Sequence, residues 1–150
     1  MLHDGSGMGA MTGVMAVYLA RDGFTGAPAI TVEDAGVAHY WADLGQDWTV
    51  ERNYIKPYPI CRWAHAAIDA LARVMRTHGV TADQVAAIRV NTFREAAALY
   101  SDIPATTSQA QYSMHFALAA MLVHGRITAA EISGDALRDT RVHAIIPSRM

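Results

Sequence analysis

At 150 residues the chain has the length of one domain that can bury its own core, so two independent domains are not expected. A hydrophobic share of 52% with only 17% charged residues, against roughly 25% in an ordinary soluble chain, excludes disorder and suggests a face hidden against something else. The net charge of −2 gives no field for a phosphate backbone, and no apolar run approaches the roughly 20 residues of a membrane span. Nucleic acid and membrane are therefore not expected as partners. The opening Met1-Leu2-His3-Asp4-Gly5 lacks the pattern of a signal peptide, and the chain is read as cytoplasmic. One cysteine cannot close an internal disulfide or hold a four-cysteine zinc site.

Met8, Met11, Val14, Met15, Tyr18 and Leu19 fall at helical spacing, which predicts a first helix over residues 8–21 with Gly23 as its left-handed cap. Thr25-Gly26-Ala27-Pro28 breaks the pattern, and residues 34–44 read as a short helix that runs out at Gly45. Trp48, Val50, Arg52 and Tyr54 alternate with their neighbours, which predicts a strand over residues 48–55. Pro57 and Pro59 then make residues 56–59 an extended turn. Cys61, Ala64, Ile68, Leu71, Ala72 and Met75 mark one face of a helix that stops near Gly79.

Thr81 and Gln84 have capping-box spacing for one short turn, and Ile88, Val90 and Thr92 alternate as a second strand. Ser108 with Gln111 forms a second capping-box pair, opening a helix through Met114, Leu118, Met121 and Leu122 to Gly125. Thr128 with Glu131 forms a third, and a last helical stretch carries Leu137, Val142, Ile145 and Ile146 before Pro147. The fold class expected is α+β, helix-rich with a small sheet of two strands. That is too little sheet to stand alone, so either further strands come from outside or helices cover the pair.

Lys56 is the sole lysine among twelve basic residues, the rest being arginine. A lysine can lose its proton when desolvated or act as a compact point charge on a carboxylate, whereas the alternative is a surface residue at a strand end. Cys61 and His65 lie four apart at the start of one helix, where the dipole favours a thiolate. They form either a thiolate–imidazole pair or a buried packing cysteine beside a histidine bonded to a backbone carbonyl. Gly5-Ser6-Gly7-Met8-Gly9 resembles a phosphate-cradling loop but lacks the preceding strand such a loop requires. The seven histidines form no spaced pair with a carboxylate on one helical face, so neither a metal nor a cofactor is expected. His78 and His124, each just before a glycine, suit the negative end of a helix dipole.

Lys56-Pro57-Tyr58-Pro59-Ile60-Cys61, with His65 and then Ile68-Asp69-Ala70, resembles a segment of the MmgE/PrpD family, which includes 2-methylcitrate dehydratase, cis-aconitate decarboxylase and iminodisuccinate epimerase. Residues 110–119, Ala-Gln-Tyr-Ser-Met-His-Phe-Ala-Leu-Ala, with Gly125-Arg126-Ile127, are similar to the family's alanine–glutamine–aromatic–serine helix. Leu2-His3-Asp4-Gly5, with Gly13 and Gly23-Phe24-Thr25-Gly26, resembles the family's passage from its helical domain into the smaller one.

The resemblance implies a two-part enzyme, a large helical domain and a smaller α+β lid with the active site in the cleft between them, commonly a homodimer. Residues 1–26 would be the joining segment and residues 27–150 the lid, incomplete at its C-terminus. The helical domain, expected before Met1, would be missing along with its catalytic histidines, aspartate and lysine. The isolated chain would then be inactive. By the same resemblance Lys56 would be the catalytic cation facing a small di- or tricarboxylate, with His3, Tyr58, Cys61 and Tyr112 lining or bracing the pocket. Many relatives have a tyrosine where Phe116 stands, and Tyr112 or His115 would substitute for its hydroxyl. An epimerase and a non-catalytic interaction module are the alternatives.

Overall fold

Left-handed glycines punctuate the chain where the sequence places its helix ends. The computed structural model describes residues 5–146. In it Gly23, Gly45, Gly79 and Gly125 all have positive φ, a conformation that costs any residue with a Cβ. Two compact units follow one another along the chain, Met1–Tyr54 and Ile55–Met150.

The first unit carries helix α1, Ser6–Arg21, a short α2, Ile30–Glu33, and two 3₁₀ turns, Ala38–Trp41 and Thr49–Arg52. None of its described residues is buried, and only Val37 is half-buried. Thr12 folds its hydroxyl back onto the Met8 carbonyl within α1, 2.9 Å away.

A core forms in the second unit. Helix α3, His65–His78, follows a 3₁₀ turn at Arg62–Ala64 and buries Ile68 and Ala72 while Asp69, Arg73 and Arg76 face water. The short α4, Arg94–Ala97, and α5, Thr107–Gln111, lead to α6, Met114–His124. Seven consecutive residues of α6, 116–122, are buried, so this helix is apolar on every side and forms the centre of the unit. Helices α3 and α5 pack against it, as does α7, Thr140–His143, and Ile60, Ile127, Ile132 and Ile146 complete the core. Among the described residues no helix is long and apolar enough to cross a membrane.

The expected α+β class is corrected by this arrangement: the described residues are helical and contain no strand. Period-two alternation marks a strand only where a ladder partner and a core face are both available. Residues 48–55 have neither. Trp48, Val50, Tyr54 and Ile55 are all exposed, and the backbone closes locally instead, with the Glu51 amide donating to the Trp48 carbonyl at 2.9 Å. Around Ile88 and Thr92 the chain forms no regular element, with Val90 leaning on the core.

The helix expected from Ser108 to Gly125 is broken in two. Thr106, not Ser108, caps α5, and its partner is Gln109. Ser113 then restarts the chain as α6 by accepting from the Phe116 amide at 3.1 Å. The pairs Thr81/Gln84 and Thr128/Glu131 do bond as their spacing implies, with the carboxamide or carboxylate accepting from the threonine amide at 3.0 and 2.8 Å.

Candidate functional site

The stretch from Lys56 to His65 is shaped by two prolines and then by a buried ring. Lys56 stands exposed in the extended segment, and its ammonium makes no hydrogen bond or ion pair with any described residue. Tyr58 is half-buried, and its hydroxyl donates to Asp69 Oδ1 on α3 at 2.7 Å. That bond to a carboxylate, aided by burial, raises the Tyr58 pKa, so the phenol holds its proton. The Tyr58 ring meets the His65 ring edge to face, with centroids 5.3 Å apart.

His65 is buried, and its Nε2 lies 3.0 Å from the Ile60 carbonyl oxygen. The carbonyl-bonded reading of this histidine is the one its Nε2 adopts. Cys61 is part-exposed and precedes the 3₁₀ turn rather than sitting on α3, so it and His65 do not share the regular helical face that their spacing suggested. The Cys61 amide donates to the Gln111 carbonyl at 2.7 Å, and the Tyr112 carbonyl accepts from the Tyr100 amide at 3.0 Å. These bonds draw Cys61 and the end of α5, where Tyr112 stands exposed, into one neighbourhood.

Lys56, Tyr58, Cys61 and Tyr112 thus all belong to the second unit, with Tyr58 and Cys61 pinned by bonds to α3 and to the end of α5. His3 lies outside the described residues. Asp69 and His65 give the bend its anchors. The sequence signal for both was present in the segment that carries the family resemblance, but their role as anchors depends on contacts that spacing does not specify.

Phe116 is wholly buried in the core. A hydroxyl at this position would face other core side chains, whereas His115 beside it is exposed. A groove of about 550 Å³ runs between residues 85–97, α6 and residues 144–146; it is lined by Val90, Leu118, Ala119 and Ile145, with His115 and Thr92 as polar groups. None of Lys56, Tyr58, Cys61 and Tyr112 lines it. Among the described residues no three His, Cys, Asp or Glu side chains gather closely enough to hold a metal ion.

Two carboxylates outside this region are held strongly ionised. Glu131, buried, accepts from the Thr128 hydroxyl and amide and from Arg126 Nε, which lowers its pKa to about 2. Asp139 caps α7 and accepts from the Arg141 guanidinium and amide, which lowers its pKa to about 2; His124 Nε2 lies 3.3 Å from Oδ2, the oxygen that also accepts from Arg141 Nη2. Both are satisfied by neighbouring groups and join turns of the fold.

No curated protein matches the chain. The family model of the MmgE/PrpD C-terminal domain matches residues 58–148, which begin at Tyr58 and take in the bend, α3, α5 and α6. Since that match spans well over half of the sequence, the chain belongs to the MmgE/PrpD family.

Proposed function

We propose that this chain works as the smaller part of a dehydratase or decarboxylase of the MmgE/PrpD family, on a small di- or tricarboxylate, by removing a proton next to a carboxylate. Membership of a family of dehydratase and lyase type supports the reaction class. One observation carries the residue assignment: Lys56, the sole lysine, stands two residues ahead of the matched domain, exposed and with its ammonium unpaired among the described residues.

The chemistry explains why such a cation is wanted. Taking a proton from the carbon beside a carboxylate leaves an electron pair that spreads onto that carboxylate and doubles its negative charge. In a dehydration the pair then forms the carbon–carbon double bond as the neighbouring hydroxyl takes up a proton and leaves as water; in a decarboxylation the bond to the departing carbon dioxide breaks instead, and the electron pair left on carbon takes up a proton. A fixed ammonium that meets the developing charge lowers the barrier most if no internal carboxylate already neutralises it. Tyr58 holds its proton and is committed to Asp69, so its role is to brace the bend. Cys61 and Tyr112 would border the substrate, with His3 near its base, and the opposite wall would come from a helical domain.

The test is an assay on 2-methylcitrate and cis-aconitate, with the chain alone and with a helical domain of the same family added. The chain alone is expected to be inactive and the mixture active, with Lys56→Ala and Lys56→Arg abolishing turnover while the complex still forms. Turnover by the chain alone, or full turnover by the Lys56→Ala complex, would overturn the proposal. Deuterium entering substrate without elimination would replace the lyase by an epimerase.

A further inference from the structure

Tyr58 stands between two groups of opposite charge that do not pair with each other. Lys56 lies two residues ahead of it, a span of at most about 7 Å along the backbone. The flexible four-carbon stem of a lysine is about as long as a tyrosine side chain, so the ammonium has the length to meet groups around the phenol hydroxyl. Asp69 is exposed on α3, with Oδ1 2.7 Å from that hydroxyl. Among the described residues its carboxylate forms no ion pair, either with Lys56 or with Arg73 and Arg76 on its own helix. The bond to Asp69, then burial and the Asp69 charge, raise the Tyr58 pKa, while Arg76 draws it down. The hydroxyl therefore stays a donor, and a donor to an ionised acceptor fixes where that carboxylate points.

We infer that Tyr58 is a positioning residue that keeps Lys56 free: its hydroxyl holds the Asp69 carboxylate on α3, and without that bond Asp69 turns to the Lys56 ammonium and neutralises it. The consequence for catalysis rests on the reaction proposed above, because an ammonium already paired within the chain has less to offer a developing negative charge. The consequence for Lys56 itself does not. Guarding the lysine differs from bracing the bend, since bracing would be served by any acceptor, whereas guarding matters only because Asp69 carries a charge.

The sole lysine gives a direct test. The rate at which an N-hydroxysuccinimide ester acylates Lys56 at about pH 8, followed by mass spectrometry on the peptide that carries it, falls when a carboxylate holds the ammonium. Tyr58→Phe is expected to slow it about two- to fivefold, the range of an exposed ion pair. Tyr58→Phe/Asp69→Asn should return to the parent rate. Both variants keep the ring that packs on His65, and circular dichroism checks that both keep the fold. In complex with a helical domain, kcat should fall with Tyr58→Phe and recover in the double variant, a rescue that a loosened bend would not show. An acylation rate unchanged in Tyr58→Phe, or a fall that Asp69→Asn leaves in place, overturns the inference whatever the turnover. Acylation rates as expected, with turnover that ignores them, would uphold the guarding and remove Lys56 from the reaction instead.

Discussion

His65 Nε2 lies 3.0 Å from the carbonyl oxygen of Ile60, with both residues buried. A carbonyl only accepts, so Nε2 carries the proton and Nδ1 is left as a bare lone pair, buried without a partner among the described residues. The bond spans the bend between the segment that carries Lys56 and Tyr58 and the start of α3. It therefore links the candidate site to the core helix beneath it.

Replacing the ring should show how much that link contributes. His65→Ala removes the donor, opens a cavity beside Ile68 and Ala64, and is expected to destabilise the fold by about 2–4 kcal/mol. His65→Phe keeps most of the ring volume but leaves the Ile60 carbonyl without a donor, at a cost of about 1–3 kcal/mol. Urea midpoints measure both. Losses below about 0.5 kcal/mol in the two variants would mean that the bend holds without the bond.

Acid should weaken the second unit through Glu131. Its carboxyl is held at about 2 in the fold against an ordinary 4.5, so ionisation is favoured by folding. The contribution is complete above about pH 4.5 and disappears as pH falls towards 2. Asp139, also depressed to about 2, adds to the same decline. Glu131→Gln loses the pairing with Arg126, itself largely exposed, and is expected to cost on the order of 1–2 kcal/mol at neutral pH. Because protonation removes the same interaction, the gap between parent and variant should close by about pH 2. Urea unfolding at pH 7, 4 and 2.5 follows that convergence; parallel curves would show that Glu131 is not the titrating group.

A tyrosine does not suit position 116 in this fold. Phe116 is fully enclosed on α6, so Phe116→Tyr places a hydroxyl among core side chains and is expected to cost about 1–3 kcal/mol. A thermal melt is enough to detect this. Unchanged stability would mean that the core offers the hydroxyl a partner.

Helix ends were the most legible part of the sequence, because a left-handed glycine and a threonine with an acceptor three residues on are local devices that work without the rest of the chain. Gly79, Gly125 and the Thr128/Glu131 pair act where their spacing places them. The two expected strands do not form because alternation, as at residues 48–55, reports side-chain pattern, while a strand depends on a neighbour that no local pattern supplies. Ser108 competes with Thr106 as the α5 cap because Thr106/Gln109 and Ser108/Gln111 overlap with the same three-residue offset, and the fold uses Thr106. Lys56 stood out by composition and Tyr58 by motif. The bond from Tyr58 to Asp69 came from neither, since it joins an extended segment to a helix eleven residues later.

Lys56 and Tyr58, two residues apart, should respond in opposite ways to substitution. Lys56 is exposed and bonded to nothing among the described residues, so Lys56→Ala is expected to shift stability by less than about 0.5 kcal/mol. Tyr58→Phe removes a bond to Asp69 and should cost about 0.5–1.5 kcal/mol. In a reconstituted enzyme the order reverses. Loss of the cation that meets the developing charge should abolish turnover, while loss of the brace should leave part of it. Urea midpoints and turnover measured on the same two variants separate a residue kept for chemistry from one kept for the fold. A Lys56→Ala chain that loses stability as much as activity would make the lysine a structural residue and remove it from the site.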